Sequence, residues 1–259
     1  MLHKIETSAL RLAWRESPWD TAVFNAPVYT IELIEVLTDS ARRDAQQFMK
    51  FLVDSGARLV SCRLPHARLV ESMLLEDLGF RFIEMIYQPV LDDLLPTTWE
   101  SLLPMAVVKA TAADLPQLTE IAGNAFANER FHIDPRLPRA IGDMRYQNWV
   151  RGAIRHPNQQ LQVLRETDSD EIIGFFIIEY LDDRTCYWHL NAISPKFQGR
   201  GIGRRAWSTM LKLAKAEDAA KVRTSVVARN VRVLNLYATL GFRLEPPAMT
   251  FHWVSPTCR

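Results

Sequence analysis

The stretch Ser194-Pro-Lys-Phe-Gln-Gly-Arg-Gly-Ile-Gly203 lies between a predicted strand, Thr185–Ile193, and a predicted helix, Gly201–Ala216. It contains the pattern Q-x-x-G-x-G, from Gln198 to Gly203. Glycines let the backbone approach an anion closely, and the start of the helix presents unpaired N–H groups and a positive dipole end. Formal positive charge is added by Arg200, Arg204 and Arg205. The stretch therefore predicts a cradle for a pyrophosphate.

Two better-known phosphate loops do not fit this stretch. A Walker loop is excluded because no Gly-Lys-Ser/Thr follows. The dinucleotide fingerprint is excluded because its third glycine is displaced and its later acidic residue has no clear counterpart.

A longer pattern around the loop is more specific than the glycines alone. The run Asn191-Ala-Ile-Ser-Pro-Lys-Phe-Gln-Gly-Arg-Gly-Ile-Gly resembles the coenzyme A signature of the GNAT acetyltransferases. Downstream, Asn230-x-x-Val-x-x-Leu-Tyr237-x-x-Leu-Gly-Phe242 is similar to the second motif of that family, with Val233 in place of the usual alanine. The resemblance implies the GNAT fold, an α+β (α/β) fold with a mixed central sheet flanked by helices. It also implies an acyltransferase that uses acetyl-CoA as co-substrate.

The resemblance assigns a role to each matching position. The backbone of residues 190–193 would pair with the pantetheine arm as an added strand does, and the amides of residues 198–203 would hold the pyrophosphate. Tyr237 would be the general acid for the departing thiolate, because a phenol titrates near about 10 and a thiol near about 8.5. Without the motif, a core tyrosine would be the better interpretation. The coenzyme A-binding residues predicted in this way are Asn191, Ala192, Ile193, Gln198, Gly199, Arg200, Gly201, Ile202, Gly203, Arg204 and Asn230.

The reaction also needs a base for the acceptor amine. Tyr187, His189 and Asn191 share one face of the strand that precedes the loop, because side chains alternate along a strand. His189 is a candidate base with a suitable ordinary pKa, and Glu179 on the adjacent strand is another. For each residue taken alone, a structural role in the core or at the sheet edge is the better interpretation.

Secondary-structure patterns predict two domains. Prolines and polar residues make 91–104 a connector. Residues 1–103 are predicted to form a degenerate GNAT-like domain and residues 104–259 the catalytic one. Thr111 and Asp114 predict a capped helix reaching Phe126. The other predicted elements after the connector are strands at 105–110, 161–165, 172–180, 185–193, 222–228 and 249–254, helices at 140–154, 201–216 and 231–240, an irregular stretch at 130–138 and a turn at 166–170.

An internal repeat predicts that the two halves are related. A shift of 162 positions places Ala41–Arg81 without gaps over Gly203–Arg243. Both copies then read helix, strand, helix and a Leu-Gly-Phe exit, although amphipathic units of this kind also look alike by composition. The amino-terminal copy has Asp39 and Ala41 in place of the cradle glycines, and Leu75 in place of the tyrosine. We therefore expect it to be a scaffold.

A narrower resemblance extends over most of the chain. The opening Leu12–Phe24, the Leu78-Gly-Phe-x-x-x-Glu84 segment and Arg130-Phe-His-x-Asp-Pro135 are similar to the dTDP-fucosamine acetyltransferases. That family acetylates the 4-amino group of a nucleotide-linked 4,6-dideoxy sugar. The resemblance makes Glu84 a candidate base that acts through water, although a solvated glutamate fits the position equally. It implies that residues 131–135 line the substrate pocket. The opening carries extra residues and has Asn25 after Phe24, which departs from the family pattern.

Composition excludes several classes of protein. The 259 residues carry a net charge near +1, which does not favour nucleic acid or an anionic membrane as partner. Cys62, Cys186 and Cys258 form no disulfide or metal pattern. We expect a soluble, cytoplasmic enzyme without a metal, whose partner is a small-molecule amine, with a homodimer left open. Direct transfer in a ternary complex is expected, because Cys186 has no evident base partner.

Two other functions remain open at this point. The acceptor could be a peptide, protein or small-molecule amine instead of a sugar; a polyamine acceptor would favour an acidic cleft. The chain could also be an inactive coenzyme A-binding module, which the intact Asn230 and Tyr237 argue against.

Overall fold

A computed structural model describes residues 1–94, 102, 105–166 and 171–256. The strands are β1 (Leu2–Glu6), β2 (Leu10–Glu16), β3 (Val28–Val36), β4 (Leu59–Pro65), β5 (Arg81–Asp92), β6 (Ala106–Lys109), β7 (Gln159–Arg165), β8 (Ile172–Tyr180), β9 (Thr185–Ile193), β10 (Lys221–Thr224), β11 (Val226–Val227) and β12 (Arg243–Val254). The helices are α1 (Pro18–Phe24), α2 (Ala41–Asp44), α3 (Gln46–Asp54), α4 (Leu69–Asp77), α5 (Leu115–Ala125), α6 (Arg130–Ile133), α7 (Arg139–Ala153), α8 (Ile202–Ala216) and α9 (Val231–Thr239).

The chain forms two compact units, and each is discontinuous in sequence. The first contains Met1–Ile86, Arg130–Ile141 and the segment that starts at Pro246; the second contains Tyr87–Glu129 and Gly142–Glu245. The predicted domains, 1–103 and 104–259, were defined by relatedness and by catalytic role and not by compactness. That division therefore stays a prediction.

The first unit is built on a mixed sheet. Its strands follow the order β1-β2-β3-β4-β12, in which only the β3–β4 pair is parallel. Phe48 and Leu52 of α3 and Leu75 of α4 are fully buried against the sheet, in one cluster with Trp14 and Phe251. Apolar residues spaced three to four apart on the helices explain why one face of each is buried.

The second unit has a sheet in the order β5-β10-β9-β8-β7-β6, with β9 and β10 parallel. Phe175 and Phe176 are adjacent on β8 and pack in different clusters, because successive side chains of a strand point to opposite faces. One cluster includes Trp207 of α8, and the other includes Tyr146 of α7. Helices therefore cover both faces of this sheet, as the mixed α+β fold predicts.

Several predicted elements of the second half are observed. Strands β8 and β9 have the predicted bounds, and the side chains of Thr111 and Asp114 form the predicted capping box. Two predictions are wrong. The stretch 130–138 is not wholly irregular, because residues 130–133 form α6. The closing strand was predicted to begin at Met249, but it begins at Arg243. The two prolines between these residues made the early part look unlike a strand, although the strand runs through them.

Two further predictions differ from the structure in the bounds of a segment. The predicted single strand at 222–228 breaks after Thr224, because β11 pairs with β5 instead. The connector predicted at 91–104 begins too early, since β5 continues to Asp92. Most of that connector, residues 167–170 of the predicted turn and Cys258 lie outside the described residues.

The predicted repeat is matched by the bounds of its elements. The same shift of 162 positions places β4 over β10 and β11, α4 over α9, and the start of β5 over the start of β12. Gly79 and Gly241 end the second helix of each copy with φ of +87° and +89°, a region that glycine adopts at little cost.

The two copies exchange their last strands. Within the first unit β4 pairs with β12, and within the second unit β10 pairs with β5. The registers are equivalent as well: Leu59 lies opposite Val254, and Lys221 lies opposite Asp92. Each unit is therefore completed by a strand from the other copy, which explains why the segment from Pro246 belongs to the first unit and why the second unit begins at Tyr87.

Among the described residues, none of the helices is long and apolar enough to cross a membrane.

Candidate active site

The predicted pyrophosphate cradle is a loop that ends at the amino terminus of α8. Gly199 and Gly201 have φ of +81° and +76°, and Gly201 is the N-cap of the helix. A Cβ placed on either glycine would meet no atom within 4 Å, so the space beside the loop is open. The Gln198 side chain donates from Nε2 to the carbonyl of Ile193 at 2.9 Å and closes the loop against β9. The loop thus presents backbone N–H groups and a helix dipole to open space.

The charges around the cradle divide into two groups. Arg200 and Arg204 are exposed, and neither forms an ion pair with another described residue. Arg205 is different, because its two terminal nitrogens donate to the Glu166 carboxylate at 2.7 and 2.6 Å. Arg205 therefore already has a carboxylate partner on the protein.

Strand β9 has an edge that is open near the loop. Its parallel pairing with β10 ends where Trp188 lies opposite Thr224, and the chain then moves to β5 as β11. Residues 190–193 remain paired with β8 on the other side, and the register shifts at His189. In the described chain, this leaves the backbone of Asn191, Ala192 and Ile193 unpaired on one side, which is the geometry that an added extended ligand requires.

Tyr237 is buried at the same place. It lies on α9 and is only 1% exposed, and its ring packs against Phe242 with centroids 4.9 Å apart. Burial raises the pKa of its hydroxyl, and the side chains of Trp207, Thr224 and Asn191 oppose this only in part. The hydroxyl therefore stays protonated at neutral pH.

The Thr224 hydroxyl is a hydrogen-bonding neighbour of Tyr237. This hydroxyl donates to the Trp188 carbonyl at 2.9 Å, so toward any other neighbour its oxygen acts as an acceptor. Tyr237 can therefore donate toward Thr224. Sequence reasoning missed Thr224 because a threonine in a short strand carries no motif.

His189 and Glu179 form a pair on neighbouring strands. The His189 Nε2 atom lies 2.7 Å from a Glu179 carboxylate oxygen, and both side chains are about four-fifths buried. The rings of Tyr187 and Trp149 flank the imidazole at centroid distances of 4.8 and 6.3 Å. The two residues predicted as alternative bases are thus bonded to each other.

Glu84 lies in the first unit, in an enclosed polar cluster. Its side chain is 1% exposed, and Arg63 lies 3.9 Å from one carboxylate oxygen. Burial raises the pKa of the carboxyl, while the charges of Arg130 and Arg63 and a hydrogen bond with Thr250 lower it by less. The interpretation of Glu84 as a solvated residue is therefore wrong. The other oxygen, Oε2, has no hydrogen-bond partner in the described part of the chain.

Three other predicted positions have structural partners. Asn230 is the N-cap of α9, where its side-chain oxygen accepts from the Val233 amide at 3.3 Å. Phe131 and Asp134, which were expected to line a substrate pocket, are each no more than 1% exposed. Their side chains lie in the interior of the first unit.

The two cysteines in the described part of the chain, Cys62 and Cys186, are poor candidates for a nucleophile. Burial raises the pKa of Cys186 to about 12, and it does the same for Cys62. Both thiols are therefore protonated and unreactive at neutral pH.

Comparison with known proteins identifies one domain of the chain. Residues 118–242, which contain the cradle, the open edge of β9 and Tyr237, match the profile of the acetyltransferase (GNAT) family. Residues 118–242 form a GNAT acetyltransferase domain. The predicted fold and enzyme class are confirmed.

The relatives of the chain include a protein of polysaccharide synthesis and a sugar acetyltransferase. The chain is 22% identical over 256 residues to the spore coat polysaccharide biosynthesis protein SpsD of Bacillus subtilis, covering 93% of this chain and 82% of the relative. It is 27% identical over 190 residues to the dTDP-fucosamine acetyltransferase of Escherichia coli, covering 73% and 79%. A GCN5-related N-acetyltransferase from Sphaerobacter thermophilus has the same fold, with a TM-score of 0.65 at 15% identity, covering 95% of this chain and 76% of that one.

The cradle of the GNAT domain gives a first prediction. Replacing Gly201 with Ala is expected to weaken acetyl-CoA binding about tenfold, which corresponds to about 1.4 kcal/mol. The reason is that a Cβ disfavours the left-handed φ that the loop requires, and it occupies the open space beside the loop. Isothermal titration calorimetry measures the effect.

Gly56→Ala is the matched control. Gly56 has φ of +66° and equally open surroundings, and it lies in the first unit. It should lose similar stability with unchanged binding. Equal affinities for both variants and the natural protein would contradict the assignment of the loop.

Proposed function

We propose that the chain is an acetyl-CoA-dependent N-acetyltransferase for the 4-amino group of a nucleotide-linked deoxy sugar. The observation that carries this proposal is the buried, protonated Tyr237 beside Asn191, where β9 presents an unpaired edge. The sugar acceptor is supported by the names of the two relatives, one a dTDP-fucosamine acetyltransferase and the other a protein of coat polysaccharide synthesis.

Acetyl-CoA fits the features of the second unit. The open edge of β9, at Asn191, Ala192 and Ile193, would hold the pantetheine arm. The loop from Gln198 to Gly203 would hold the pyrophosphate, with Arg200 and Arg204 supplying charge and Ile202 starting α8. Asn230 would contact the pantetheine with its amide group, since its oxygen caps α9.

The chemistry requires one acid and one base. The amine nitrogen attacks the thioester carbon, the C–S bond breaks, and Tyr237 donates its proton to the departing sulfur. A base removes the proton that the amine loses. Transfer is direct, because the buried Cys186 thiol is unsuited to accept the acetyl group.

We assign the base to Glu84, with His189 as the alternative. Glu84→Gln is expected to lower kcat about 100-fold or more, the usual effect of removing a general base. His189→Gln is the matched comparison, and it is expected to lower kcat by less. Steady-state rates at saturating acetyl-CoA measure both. The opposite ranking would move the role of base to His189.

The pH dependence of the reaction gives a second test of Glu84. A base acts when deprotonated, and burial raises the pKa of Glu84. Activity should therefore fall as pH is lowered through a value above the ordinary carboxyl pKa of about 4.3. In Glu84→Gln this acidic limb should disappear; a limb that stays unchanged would contradict the assignment.

The residues of the amino-terminal half are proposed to form a degenerate GNAT-like scaffold. Leu75, which replaces the tyrosine, is fully buried and offers no acid. We propose a cytoplasmic location and one acetyl-CoA per chain.

One observation favours a second candidate function. An open cleft in the second unit is lined by Pro157, Asn158, Gln160, Glu179, Tyr180, Leu181 and Asp182. The two carboxylates at its wall suit a small cationic amine, such as a polyamine.

A panel of acceptors separates the two functions. Release of free thiol from acetyl-CoA is measured with a dTDP-4-amino-4,6-dideoxy sugar, a polyamine and a lysine peptide. Release with the amino sugar alone supports the proposal. Release with the polyamine or the peptide and none with the amino sugar refutes the acceptor and keeps the enzyme class.

A further inference from the structure

A tryptophan of α8 lies beside the proposed acid, within the second unit. The rings of Trp207 and Tyr237 form a T-shaped pair, with centroids 6.4 Å apart and planes inclined at 67°. Trp207 is 4% exposed and Tyr237 is 1% exposed, so both side chains are enclosed by protein. Phe176 contacts the same indole, with centroids 4.9 Å apart. The core therefore holds the indole in place next to the phenol.

The indole N–H of Trp207 has no other use in the described part of the chain. Its Nε1 atom is buried and forms no hydrogen bond of normal geometry with the described residues. An indole nitrogen can only donate, and a buried donor usually has a partner. The group on which this N–H acts is the Tyr237 hydroxyl. The donor is therefore close to the phenol oxygen, but it is not fully satisfied while the phenol is neutral.

The pKa of the Tyr237 hydroxyl reflects this contact. Burial raises that pKa, and three neighbouring side chains oppose the rise. Trp207 opposes it most, ahead of Thr224 and Asn191. A neighbour lowers the pKa of a phenol when it stabilises the charged form. The indole N–H is therefore placed to stabilise a phenolate at position 237.

The neighbours also determine where the Tyr237 proton can go. Because an indole N–H offers no acceptor, the phenol cannot donate to Trp207. Thr224 can accept from the phenol, since its own proton is donated to the Trp188 carbonyl at 2.9 Å. The Tyr237 hydroxyl therefore has both an acceptor for its proton and an N–H donor beside its oxygen.

The proposed reaction leaves negative charge on that oxygen. When Tyr237 gives its proton to the departing sulfur, the electron pair of the O–H bond stays on the phenol oxygen. Hydrogen bonds to a charged acceptor are roughly twice as strong as those to a neutral one. A donor that is unsatisfied before the step and bonded as charge develops lowers the barrier, because it favours the transition state over the resting enzyme.

We propose that Trp207 is a positioning residue for the acid, whose Nε1–H bonds to the phenolate oxygen that forms as Tyr237 protonates the leaving thiolate. The inference rests on the role of Tyr237 in the proposed function. In the step, the C–S bond breaks and its electron pair goes to sulfur, which takes the proton of Tyr237. The phenolate regains a proton from solvent after the products leave, which returns the enzyme to its starting state.

Replacing Trp207 with Phe removes the N–H and keeps an aromatic ring against Phe176. We expect kcat to fall about tenfold or more, the usual contribution of a hydrogen bond to a charged group, with KM for acetyl-CoA unchanged. Steady-state release of free thiol measures both values. An undiminished kcat in a folded Trp207→Phe protein would overturn the inference.

Trp14→Phe is the matched control for this variant. Trp14 is also 4% exposed, packs T-shaped against Phe48, and has a buried Nε1 without a hydrogen-bond partner among the described residues. It belongs to the first unit, so its replacement should lower stability and leave kcat unchanged. An equal fall in kcat for both variants would attribute the effect to packing and would overturn the inference.

A titration of the phenol separates this role from packing. Tyr237 is replaced by a fluorinated tyrosine, whose lower pKa makes ionisation measurable, and absorbance is followed without any substrate. Because Trp207 stabilises the phenolate, the pKa of this phenol should be about one unit higher in Trp207→Phe, which corresponds to a tenfold change. Tyr187 of β9 raises the same pKa through its charge, and it is present in both proteins. An unchanged pKa would overturn the inference.

A third variant covers the case in which Trp207→Phe fails to fold. Benzothienylalanine at position 207 keeps the shape of tryptophan and has sulfur in place of the N–H group. It should show the same fall in kcat and the same rise in the pKa of the phenol; values equal to those of the natural protein would overturn the inference.

Failure of this inference is distinguishable from failure of the proposed function. Full turnover of Tyr237→Phe would remove the acid and the role of Trp207 with it. A slow Tyr237→Phe beside a fully active Trp207→Phe would remove the role of Trp207 alone. If both roles are correct, adding Trp207→Phe to Tyr237→Phe should lower kcat no further.

Discussion

Replacing Tyr237 with Phe is expected to lower kcat by about 100-fold or more, the contribution that a general acid usually makes. KM for acetyl-CoA should not change, because the ring that packs against Phe242 is kept. The loss arises because the thiolate must leave without a proton donor. Burial raises the pKa of the hydroxyl, so the acid stays in its active, protonated form through neutral and mildly alkaline pH.

The control for this variant is Tyr87→Phe, which changes a partly buried tyrosine in the same apolar cluster. Both variants are compared with the natural protein by stopped-flow release of free thiol and by thermal unfolding. Undiminished turnover of Tyr237→Phe would remove the acid from the mechanism. A matching loss in Tyr87→Phe would attribute the effect to packing.

A chain that ends after Glu245 is expected not to fold its first unit. It lacks residues 246–254 of β12, which pair with β4 along its whole length, from Leu59 to Pro65. Phe251 and Trp253 also leave the core of that unit; losing one large aromatic side chain from a core usually costs about 3–5 kcal/mol. The total therefore approaches the whole stability of a typical domain, about 5–15 kcal/mol.

The matched control ends after Ser255 and keeps all of β12. Urea unfolding followed by circular dichroism should show a cooperative transition for the control, whereas the shorter chain should be insoluble or lack that transition. A shorter chain that unfolds as cooperatively as the control would contradict the exchange of strands between the two copies.

The second half was predictable because its signals are local. The bounds of β8 and β9 follow from runs of apolar residues, and the start of α8 follows from a glycine whose φ only glycine adopts readily. Even the repeat was visible, because a Leu-Gly-Phe helix exit is a backbone requirement and survives in both copies.

The exchanged strands were not predictable from the same reasoning. Pro246 and Pro247 lie inside β12, and prolines argue against a strand when only neighbours in sequence are considered. The partner of β12 is β4, far away in sequence, so the pairing that overrides this preference has no local signal.

Residues of the candidate site were likewise predictable only where a local motif marks them. The motifs carried the loop, Asn191 and Tyr237, whereas Thr224 was missed because its contact with Tyr237 depends on tertiary packing. The burial of Glu84 also depends on contacts with Arg63 and Thr250. A pKa is set by such tertiary surroundings, and residue type and spacing alone do not specify them.

The most direct test of the central claim is to follow the acetyl group by mass spectrometry. The protein is mixed with acetyl-CoA, with and without dTDP-4-amino-4,6-dideoxygalactose, and the masses of both protein and sugar are measured. We expect no change in the mass of the protein and the gain of one acetyl group on the sugar nitrogen, only when both substrates are present. An acetyl group trapped on Cys186, or a sugar that gains none while free thiol is released, would contradict direct transfer to this amine.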